Sequence, residues 1–341
     1  MTRAGETPAR PEGGGPETPG VEDVFGRLER GEITPGEAFR VFRIAGGQAG
    51  DVKLEMAEPA TERRLAETFD ELEFLVGLTS VKRLVRELHA FIVIQRERAL
   101  RGLSAEPMVL HMVFKGNPGT GKTTVARILG RIFKATGVLQ KGHLVECERA
   151  DLVGEYIGHT AQKTREQVKR AIGGILFVDE GYSLARGGEK DFGKEAIDTL
   201  VKAMEDHKDE LVLILAGYLD EMQQFLESNP GLQSRFPIQI TFPDFTLEEL
   251  MEIADLMLAK RQYILTVEAR QALRAKLQRY RRFPYGDENA GNARLVRNII
   301  ERAMRRQALR LVERSSRSRA DLQTIEAADL GGDDYETGRP D

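Results

Sequence analysis

Cysteine is almost absent from this sequence. Only one of the 341 residues is a cysteine, Cys147, so no intrachain disulfide can form. Disulfides are typical of secreted proteins and rare in the reducing cytosol, so the sequence favours a reducing compartment. We expect the thiol to be a small buried apolar group.

Long apolar runs are absent as well. No segment approaches the roughly 20 consecutive apolar residues that a membrane-spanning helix needs. The first residues, MTRAGETPAR, contain no apolar stretch of the kind found in secretory signal peptides. We therefore expect no membrane partner and a cytoplasmic location.

A strong excess of one charge is also lacking. The chain has 50 Lys and Arg against 54 Asp and Glu, a formal net charge of -4. Charged residues make up 30% of the chain and apolar ones 41%, which is typical of a globular protein. Nothing in this balance indicates a polyanion-binding surface, so nucleic acid is not an expected partner.

Composition along the chain predicts its domain organisation. The first segment is rich in Pro, Gly, Thr and Glu and has no apolar spacing, so it cannot bury enough surface to become ordered. The segment that follows it has two sets of apolar residues at helical spacing and then a charged connector, which predicts a helical hairpin. This hairpin either binds an adaptor or docks on the rest of the protein. We predict a disordered tail at 1–20, a helical hairpin and connector at 21–71, an α/β domain at 72–245, a helical lid at 246–330 and a disordered tail at 331–341.

The fold class follows from the rhythm of apolar segments. Short apolar runs alternate with longer helical stretches, which is typical of a parallel sheet with helices on both faces. After Pro243 this rhythm stops, and Thr246 with Glu249 forms a capping-box pattern that opens a small all-helical domain. The predicted strands are Leu110–Phe114, Leu144–Cys147, Ile175–Val178, Leu211–Ala216 and Ile238–Phe242.

A glycine-rich loop provides the strongest motif. It matches the phosphate-binding pattern G-x-x-x-x-G-K-[ST], with a predicted strand before it and a predicted helix after it. Backbone amides and the helix N-terminus then converge on one anion site, where Lys122 adds charge toward the β- and γ-phosphates and Thr123 offers its hydroxyl to Mg²⁺. The predicted nucleotide-binding residues here are Asn117, Pro118, Gly119, Thr120, Gly121, Lys122, Thr123 and Thr124.

An acidic pair follows another apolar run. Asp179 and Glu180 come directly after Ile175–Val178, so a buried strand would deliver both carboxylates to one edge of the sheet. Asp179 is predicted to hold Mg²⁺, and Glu180 to activate the attacking water, a role worth about 10²- to 10⁴-fold. The chain has no guanine-reading Asn-Lys-x-Asp and no recognisable kinase acceptor site, so Mg²⁺-dependent hydrolysis of ATP is favoured.

Several motifs resemble, in order, those of AAA+ ATPases. They are Leu75-Val76-Gly77-Leu78, GNPGTGKT, FVDE, NPGLQSRFP and GNARLVRN, and the resemblance covers residues 72–330. Longer segments, ADLVGEYIGHTAQKT and DEGYSLARGGEKDFGKEAIDTLV among them, are similar to the CbbX/CfxQ-like branch. That branch includes the red-type Rubisco activases and the stage V sporulation protein K group, to which the similarity is greatest. The resemblance implies an AAA+ nucleotide-binding domain followed by a lid.

The resemblance also implies roles for residues outside these two motifs. Members of the class form hexameric rings, in which Arg235 would reach the neighbour's nucleotide site as an arginine finger. Such residues are worth about 10³- to 10⁵-fold in phosphoryl transfer. Arg294 matches a lid arginine that reads the γ-phosphate, with Arg297 as the nearest alternative. Val76 and Gly77 match the segment whose backbone contacts adenine.

Two further positions concern the pore and the attacking water. Tyr156 and Ile157 match the aromatic loop that lines the central pore in peptide-threading members, although such a pair is otherwise commonly part of a core. Many AAA+ proteins have Asn or Thr after the fourth strand, where this chain has Ala216-Gly217-Tyr218. Tyr218 is a candidate substitute, and the residue that helps Glu180 to position water stays open.

Four functions are weighed. The leading hypothesis is a sporulation-associated motor that remodels a protein target, so a homo-hexamer and a protein target are the expected partners. A red-type Rubisco activase is the second. The third is a nucleic-acid motor or loader, suggested by the arginine-rich run from Arg279 to Arg319, although the arginines of a helical lid commonly form a solvated face. A nucleotide-dependent scaffold is the fourth, and the acidic pair disfavours it.

Overall fold

The structure, a computed structural model, describes residues 59–104, 108–156, 158–186, 191–282 and 291–331. The chain divides into two units, residues 1–60 and 61–341, and the described residues fall almost entirely in the second. The tails and the hairpin predicted from the sequence lie outside the described residues. Domain boundaries at 72–245 and 246–330 stay predictions.

Five parallel strands form the main sheet, in the order β2-β3-β4-β1-β5. The first strand lies between β4 and β5 and pairs with both in parallel register. The predicted α/β fold with a parallel sheet is thus confirmed. The strands are β1 Met112–Lys115, β2 Leu144–Cys147, β3 Ile175–Val178, β4 Val212–Gly217 and β5 Ile238–Thr241.

Helices connect the strands and continue beyond the sheet. The helix Leu247–Lys260, α9, has Thr246 as its N-cap, and the Oγ1 of Thr246 accepts a hydrogen bond from the Glu249 amide at 3.2 Å. The Glu249 carboxylate in turn accepts from the Thr246 amide at 2.7 Å, which confirms the predicted capping box. The helices are α1 Pro59–Phe74, α2 Thr79–Leu100, α3 Lys122–Ala135, α4 Arg149–Leu152, α5 His159–Ala171, α6 Gly193–Asp206, α7 Leu219–Glu227, α8 Pro230–Gln233, α9 Leu247–Lys260, α10 Val267–Arg282, α11 Asn292–Val312, α12 Arg319–Gln323 and α13 Ala327–Leu330.

The sheet separates two hydrophobic cores. Successive side chains of a strand point to opposite faces, so Met112 and Phe114 enter one core and Val113 the other. The first core joins the sheet to α1, α2, α3, α9, α10, α11 and α13. The second joins it to the helices from α4 to α8 and contains the buried Cys147, where burial raises the pKa of the thiol to about 11. The thiol is therefore part of the packing, as expected.

The segment after β5 is helical, as predicted, and also contains a short strand pair. Strands β6 Ile264–Leu265 and β7 Thr324–Ile325 pair in parallel, which the apolar spacing does not predict because each has two residues. Arg310 of α11 binds the buried Asp329 of α13 through two hydrogen bonds of 3.0 and 2.8 Å. This ion pair holds the last helix of the lid to its longest one. Within the described ranges, no helix combines the length and the apolar character needed to cross a membrane.

His111 lies just before β1 and makes the stability of the folded protein depend on pH. Its side chain is 4% exposed, and its Nδ1 accepts a hydrogen bond from the Leu213 amide at 3.0 Å. Only a ring without a proton on Nδ1 can accept this bond. Burial, the largest influence, lowers the pKa of His111 to about 4. Between about pH 4 and pH 6.5, His111 is therefore neutral in the folded protein and protonated in the unfolded chain.

We predict that His111 makes folding sensitive to mild acid. Its pKa is near 6.5 when unfolded and depressed when folded, so its contribution is complete above about pH 6.5 and is lost as pH falls toward 4. Between pH 7 and pH 4.5 the free energy of unfolding should fall by about 2 kcal/mol less in His111→Asn than in wild type. Urea unfolding at both pH values measures this. His159→Asn, at an exposed histidine, should keep the wild-type dependence; equal acid sensitivity in all three proteins would contradict the account.

Candidate functional site

A cavity of about 320 Å³ lies at the carboxyl edge of the sheet. In an open parallel sheet this edge is where ligands bind, because loops from several strands converge there. Four segments of the chain line the cavity: the loop after β1, the turn after β3, the end of β4 and the first turns of α11. The lining residues are Gly116, Pro118, Gly119, Gly121, Lys122, Thr123, Thr124, Asp179, Glu180, Gly217, Tyr218, Ala293, Arg294 and Arg297.

The glycine-rich loop wraps one side of this cavity. Gly121 has a φ of 98° and directly precedes α3, so the loop turns sharply and aims the first amides of the helix into the cavity. The Oγ1 of buried Thr120 donates to the carbonyl of Asn117 at 2.8 Å, which closes the loop from inside. A helix N-terminus with free amides attracts anions. The loop therefore has the geometry of a phosphate site.

Lys122 supplies a cation beside the loop. Its Nζ donates to the carbonyls of Gly116 at 2.7 Å and Asn117 at 2.9 Å. Burial lowers the pKa of Lys122 most, Asp179 opposes this, and Arg294 lowers it further. Phosphate oxygens entering the cavity would compete with the two carbonyls for the ammonium protons and would relieve its repulsion from Arg294.

The acidic pair stands opposite the loop. Glu180 has a φ of 48°, a left-handed backbone that is uncommon for residues other than glycine. The carboxylate of Asp179 accepts a hydrogen bond from the Glu180 amide at 3.0 Å and so supports this turn. Strained backbone of this kind is concentrated at functional sites. Both carboxylates line the same cavity as Lys122, as the sequence predicts.

Thr123 and Asp179 both line the cavity and offer oxygen atoms, the ligand type that Mg²⁺ prefers. Mg²⁺ usually takes one or two protein oxygens and completes its octahedron with phosphates and water. Across the described part of the chain, no three His, Cys, Asp or Glu side chains gather to hold a metal. A magnesium ion here would therefore depend on the bound nucleotide for its other ligands.

Tyr218 lines the cavity next to a tyrosine that sequence reasoning missed. The rings of Tyr218 and Tyr182 lie 6.0 Å apart, and the Arg186 guanidinium lies 4.5 Å from the centre of the Tyr182 ring. Burial raises the pKa of Tyr182 to about 12, with Glu180 adding to the effect. A methyl group on Gly217 would lie 2.7 Å from the Tyr182 ring, so glycine is required between the two tyrosines. The sequence signal that could have identified Tyr182 is its position two residues after Glu180.

The first turn of α11 rests directly on the glycine-rich loop. The Ala293 amide donates to the Gly119 carbonyl at 3.2 Å. A methyl group on Gly119 would lie 2.6 Å from the Gly291 carbonyl oxygen and 2.8 Å from the Arg294 amide nitrogen. Arg294 and its alternative Arg297 both line the cavity, so lining alone does not decide between them.

The predicted adenine segment lies beside the cavity and does not line it. A methyl group on Gly77 would collide with the carboxylate of Glu249 at the start of α9 and would lie 3.5 Å from the Phe245 ring. Val76 is buried in the first core. A side-chain carbon of Leu78 lies 3.5 Å from where a methyl group of Gly121 would stand, so the segment is adjacent to the phosphate loop.

Two predicted residues lie away from the cavity. Arg235 forms an ion pair with Glu205 of α6, and its Nη1 donates to the Gly231 carbonyl at 2.9 Å. Tyr156 is 66% exposed, and its ring lies 5.6 Å from that of His159. The core reading of Tyr156 is therefore wrong. Ile157 lies outside the described residues.

Family models match two consecutive parts of the chain. Residues 112–244 match the model described as "ATPase family associated with various cellular activities (AAA)", and residues 246–339 match the model of an AAA lid domain. The solved FIGL-1 AAA domain in complex with ADP has a TM-score of 0.52 over 75% of this chain and 80% of its own, at 16% sequence identity. That likeness supports the fold.

Three curated relatives are similar over most of their length. Stage V sporulation protein K of Bacillus subtilis (strain 168) is 55% identical over 78% of this chain and 82% of its own. Protein CbbX of Cereibacter sphaeroides is 50% identical over 73% and 80%. The chloroplastic ribulose bisphosphate carboxylase/oxygenase activase of Cyanidioschyzon merolae (strain NIES-3377 / 10D) is 45% identical over 79% and 92%. The similarity read from the motifs is confirmed.

We predict that Gly119→Ala weakens nucleotide binding by at least about tenfold, because the added methyl group must push the loop and α11 apart. The matched control is Gly102→Ala. Gly102 has a similar φ of 70°, and a methyl group there would meet no atom within 4 Å. Both variants bear the same left-handed strain, roughly 1 kcal/mol. Titration with a fluorescent ADP analogue separates them, and equal affinity in both would rule out the close approach.

Proposed function

Since this chain belongs to the AAA ATPase family and carries an AAA lid domain, it is an ATP-hydrolysing enzyme, and we propose that it works as a hexameric ring that remodels a protein target. The observation that carries the proposal is that the predicted site residues lie in two separate places on the subunit. Lys122, Asp179, Glu180 and Arg294 surround one cavity, whereas Arg235 is held elsewhere on the same subunit.

The proposed chemistry assigns one role to each lining group. The loop amides and Lys122 bind the β- and γ-phosphates, and Arg294 senses the γ-phosphate from the lid. Thr123 and Asp179 would hold a magnesium ion, which would neutralise phosphate charge when bound. Glu180 orients a water molecule and takes its proton as the water attacks the γ-phosphorus. In-line attack then releases ADP and phosphate.

Arg235 would complete the site of a neighbouring subunit. Its guanidinium pairs with Glu205, and it does not belong to the described residues that line the cavity. The side chain of Arg235 is still 34% exposed, so a neighbour's phosphates could compete for it. An arginine that acts in trans makes hydrolysis depend on assembly. An Arg235 that acts in trans supports a ring, and the number of six subunits comes from the family resemblance.

Tyr156 would grip the target. It stands exposed on the segment between α4 and α5, which is anchored from below by a 2.9 Å hydrogen bond from the Gly154 amide to Thr160 Oγ1. A large exposed aromatic side chain on an anchored loop is suited to contact a polypeptide. Cycles of hydrolysis would then move this loop against the target.

Similarity to the sporulation protein supports a role in spore formation. The alternative with specific support is the remodelling of Rubisco, because two of the relatives are CbbX and a Rubisco activase. A nucleic-acid motor is less favoured, since in the arginine-rich segment Arg310 and Arg314 are paired with Glu326, Asp321 or Asp329. We place this activity in the cytoplasm and propose ATP with Mg²⁺ as its cofactors.

We predict that Arg235 acts in trans. Arg235→Ala should lose about 10³-fold in turnover and keep its ring-sized mass. Lys122→Ala, which still carries the finger, should be inactive alone. In a one-to-one mixture, random assembly would complete about a quarter of the sites and recover activity. Arg83→Ala, at an exposed arginine that pairs with Glu87, is the control for losing an arginine.

The trans assignment has two clear tests of failure. Steady-state hydrolysis and molar mass in ATP and Mg²⁺, measured over a range of protein concentrations, give the result. No recovery in the mixture, although mixed assemblies form, would contradict the role of Arg235. A fully active monomer would contradict the ring. Glu180→Gln should assemble and bind ATP but lose at least about 100-fold in turnover.

We predict that Tyr156 couples hydrolysis to the target. An unstructured polypeptide such as casein should stimulate hydrolysis by the wild type and by Tyr156→Phe, which keeps the ring. Tyr156→Ala should lose the stimulation, because an alanine cannot grip the chain. The ratio of stimulated to basal hydrolysis is the measurement. Equal ratios in all three proteins would reject the threading proposal and leave the ATPase assignment intact.

A further inference from the structure

We propose that Asp244 is a positioning residue of the ATPase site: its carboxylate joins the phosphate-binding loop to the first turn of the lid and so determines where Arg294 stands over the cavity. We call Asn117, Asp244 and Asn292 the amide clasp. The proposal rests on ATP hydrolysis and is independent of the ring and of the remodelled target.

The clasp consists of one carboxylate between two side-chain amides. Asp244 lies between the last strand of the sheet, β5, and the first lid helix, α9. Its Oδ1 and Oδ2 each lie 2.9 Å from the Nδ2 of Asn117 in the loop. Its Oδ1 also accepts from the Nδ2 of Asn292 in α11, at 2.8 Å. Hydrogen bonds to a charged acceptor are stronger than neutral ones, so this carboxylate links the two segments firmly.

Asn292 is bonded on every side. Its Oδ1 accepts from the Phe245 amide at 2.9 Å, and its Nδ2 also reaches the Pro118 carbonyl at 3.3 Å. The residue is buried and has a φ of 53°, a left-handed conformation that asparagine tolerates better than most residues. Asparagine therefore meets three demands here: a donor for Asp244, an acceptor for Phe245 and the backbone angle that starts α11.

The clasp controls Arg294 through the backbone. Arg294 follows Asn292 by two residues in the same turn, and Ala293 between them donates to Gly119 at 3.2 Å. The turn lies so close to Gly119 that it cannot approach the loop further, and a shift of the turn along the loop would stretch the hydrogen bonds of the clasp. A displacement of about 1 Å in a positioned group can cost about 100-fold in rate. A loosened clasp should therefore slow the chemical step more than it weakens nucleotide binding.

Charge gives the carboxylate a second effect. Burial lowers the pKa of Lys122 most; Arg294 lowers it further, whereas Asp179 and then Asp244 raise it. Two cations thus face the cavity, and Asp244 offsets part of their mutual repulsion. Asp244 also holds the segment that carries Arg294. The same carboxylate therefore places Arg294 near Lys122 and lowers the electrostatic cost of bringing the two cations together.

An exchange of partners tests the clasp. Asn292→Asp would place two carboxylates against each other where the 2.8 Å bond now stands, and kcat should fall by at least about tenfold. Adding Asp244→Asn restores one donor and one acceptor across that contact, and also restores the net charge. The double variant should return to within about threefold of the wild-type kcat. Asp70→Asn, at an exposed carboxylate of α1 outside the cavity, should behave as wild type.

Affinity and stability separate positioning from a structural role. The Kd for a fluorescent ATP analogue should change by less than about threefold in every variant, because Lys122 and the loop amides remain. The double variant should unfold in urea as the wild type does, whereas Asn292→Asp should be less stable because its two carboxylates repel each other. The molar mass should stay at the wild-type value in every variant. If Asn292→Asp does not fold, Asn292→Gly fits the backbone angle and removes the clasp, and its kcat should fall similarly.

Three results would overturn the proposal. The first is a kcat within about twofold of wild type in both Asn292→Asp and Asn292→Gly. The second is a double variant whose losses simply add, since independent sites add and partners do not. The third is a loss confined to Kd. A failure of the ATPase assignment looks different, because wild type and Asp70→Asn would then also be inactive.

Discussion

The loop after β1 and the first turn of α11 approach until no side chain fits between them. A methyl group on Gly119 would stand 2.6 Å from the Gly291 carbonyl oxygen, so this contact exists only because the loop has glycine there. The place of Arg294 beside the cavity depends on it. The sheet positions Lys122, Asp179 and Glu180, and the contact adds Arg294 from a part of the chain that belongs to another layer. A phosphate site assembled in this way is sensitive to the lid.

The charges in the cavity make the contact between the loop and the lid turn sensitive to bound phosphate. Lys122 and Arg294 repel each other in the cavity, and the carboxylates of Asp179 and Asp244 oppose that repulsion. A bound polyphosphate would attract both cations and would therefore strengthen the contact between the lid turn and the loop. Release of the γ-phosphate would reverse this effect. In the proposed function, this dependence on the γ-phosphate would couple ATP turnover to the lid.

Sequence patterns predict the parts of this molecule that depend on local order. The glycine-rich loop and the acidic pair carry their chemistry in consecutive residues, and both line the cavity. Strand ends were less accurate: β1 begins at Met112 instead of Leu110, and it ends at Lys115, whose ammonium donates a hydrogen bond to the Gln223 side-chain oxygen at 2.6 Å. The amide clasp could not be predicted, since Asn117 and Asp244 are 127 positions apart and no spacing rule relates them. The exposure of Tyr156 likewise depends on how its loop is anchored, which a Tyr-Ile pair does not reveal.

The central claim is that one phosphate site is built jointly by the loop and by the lid turn. Amide hydrogen exchange of the wild type, with and without a non-hydrolysable ATP analogue and Mg²⁺, tests it most directly. The account predicts that segments 116–124 and 291–297 both exchange at least about tenfold more slowly with nucleotide, whereas α10 exchanges unchanged. Protection of 116–124 alone would show that the lid turn does not share the phosphates and would contradict the claim.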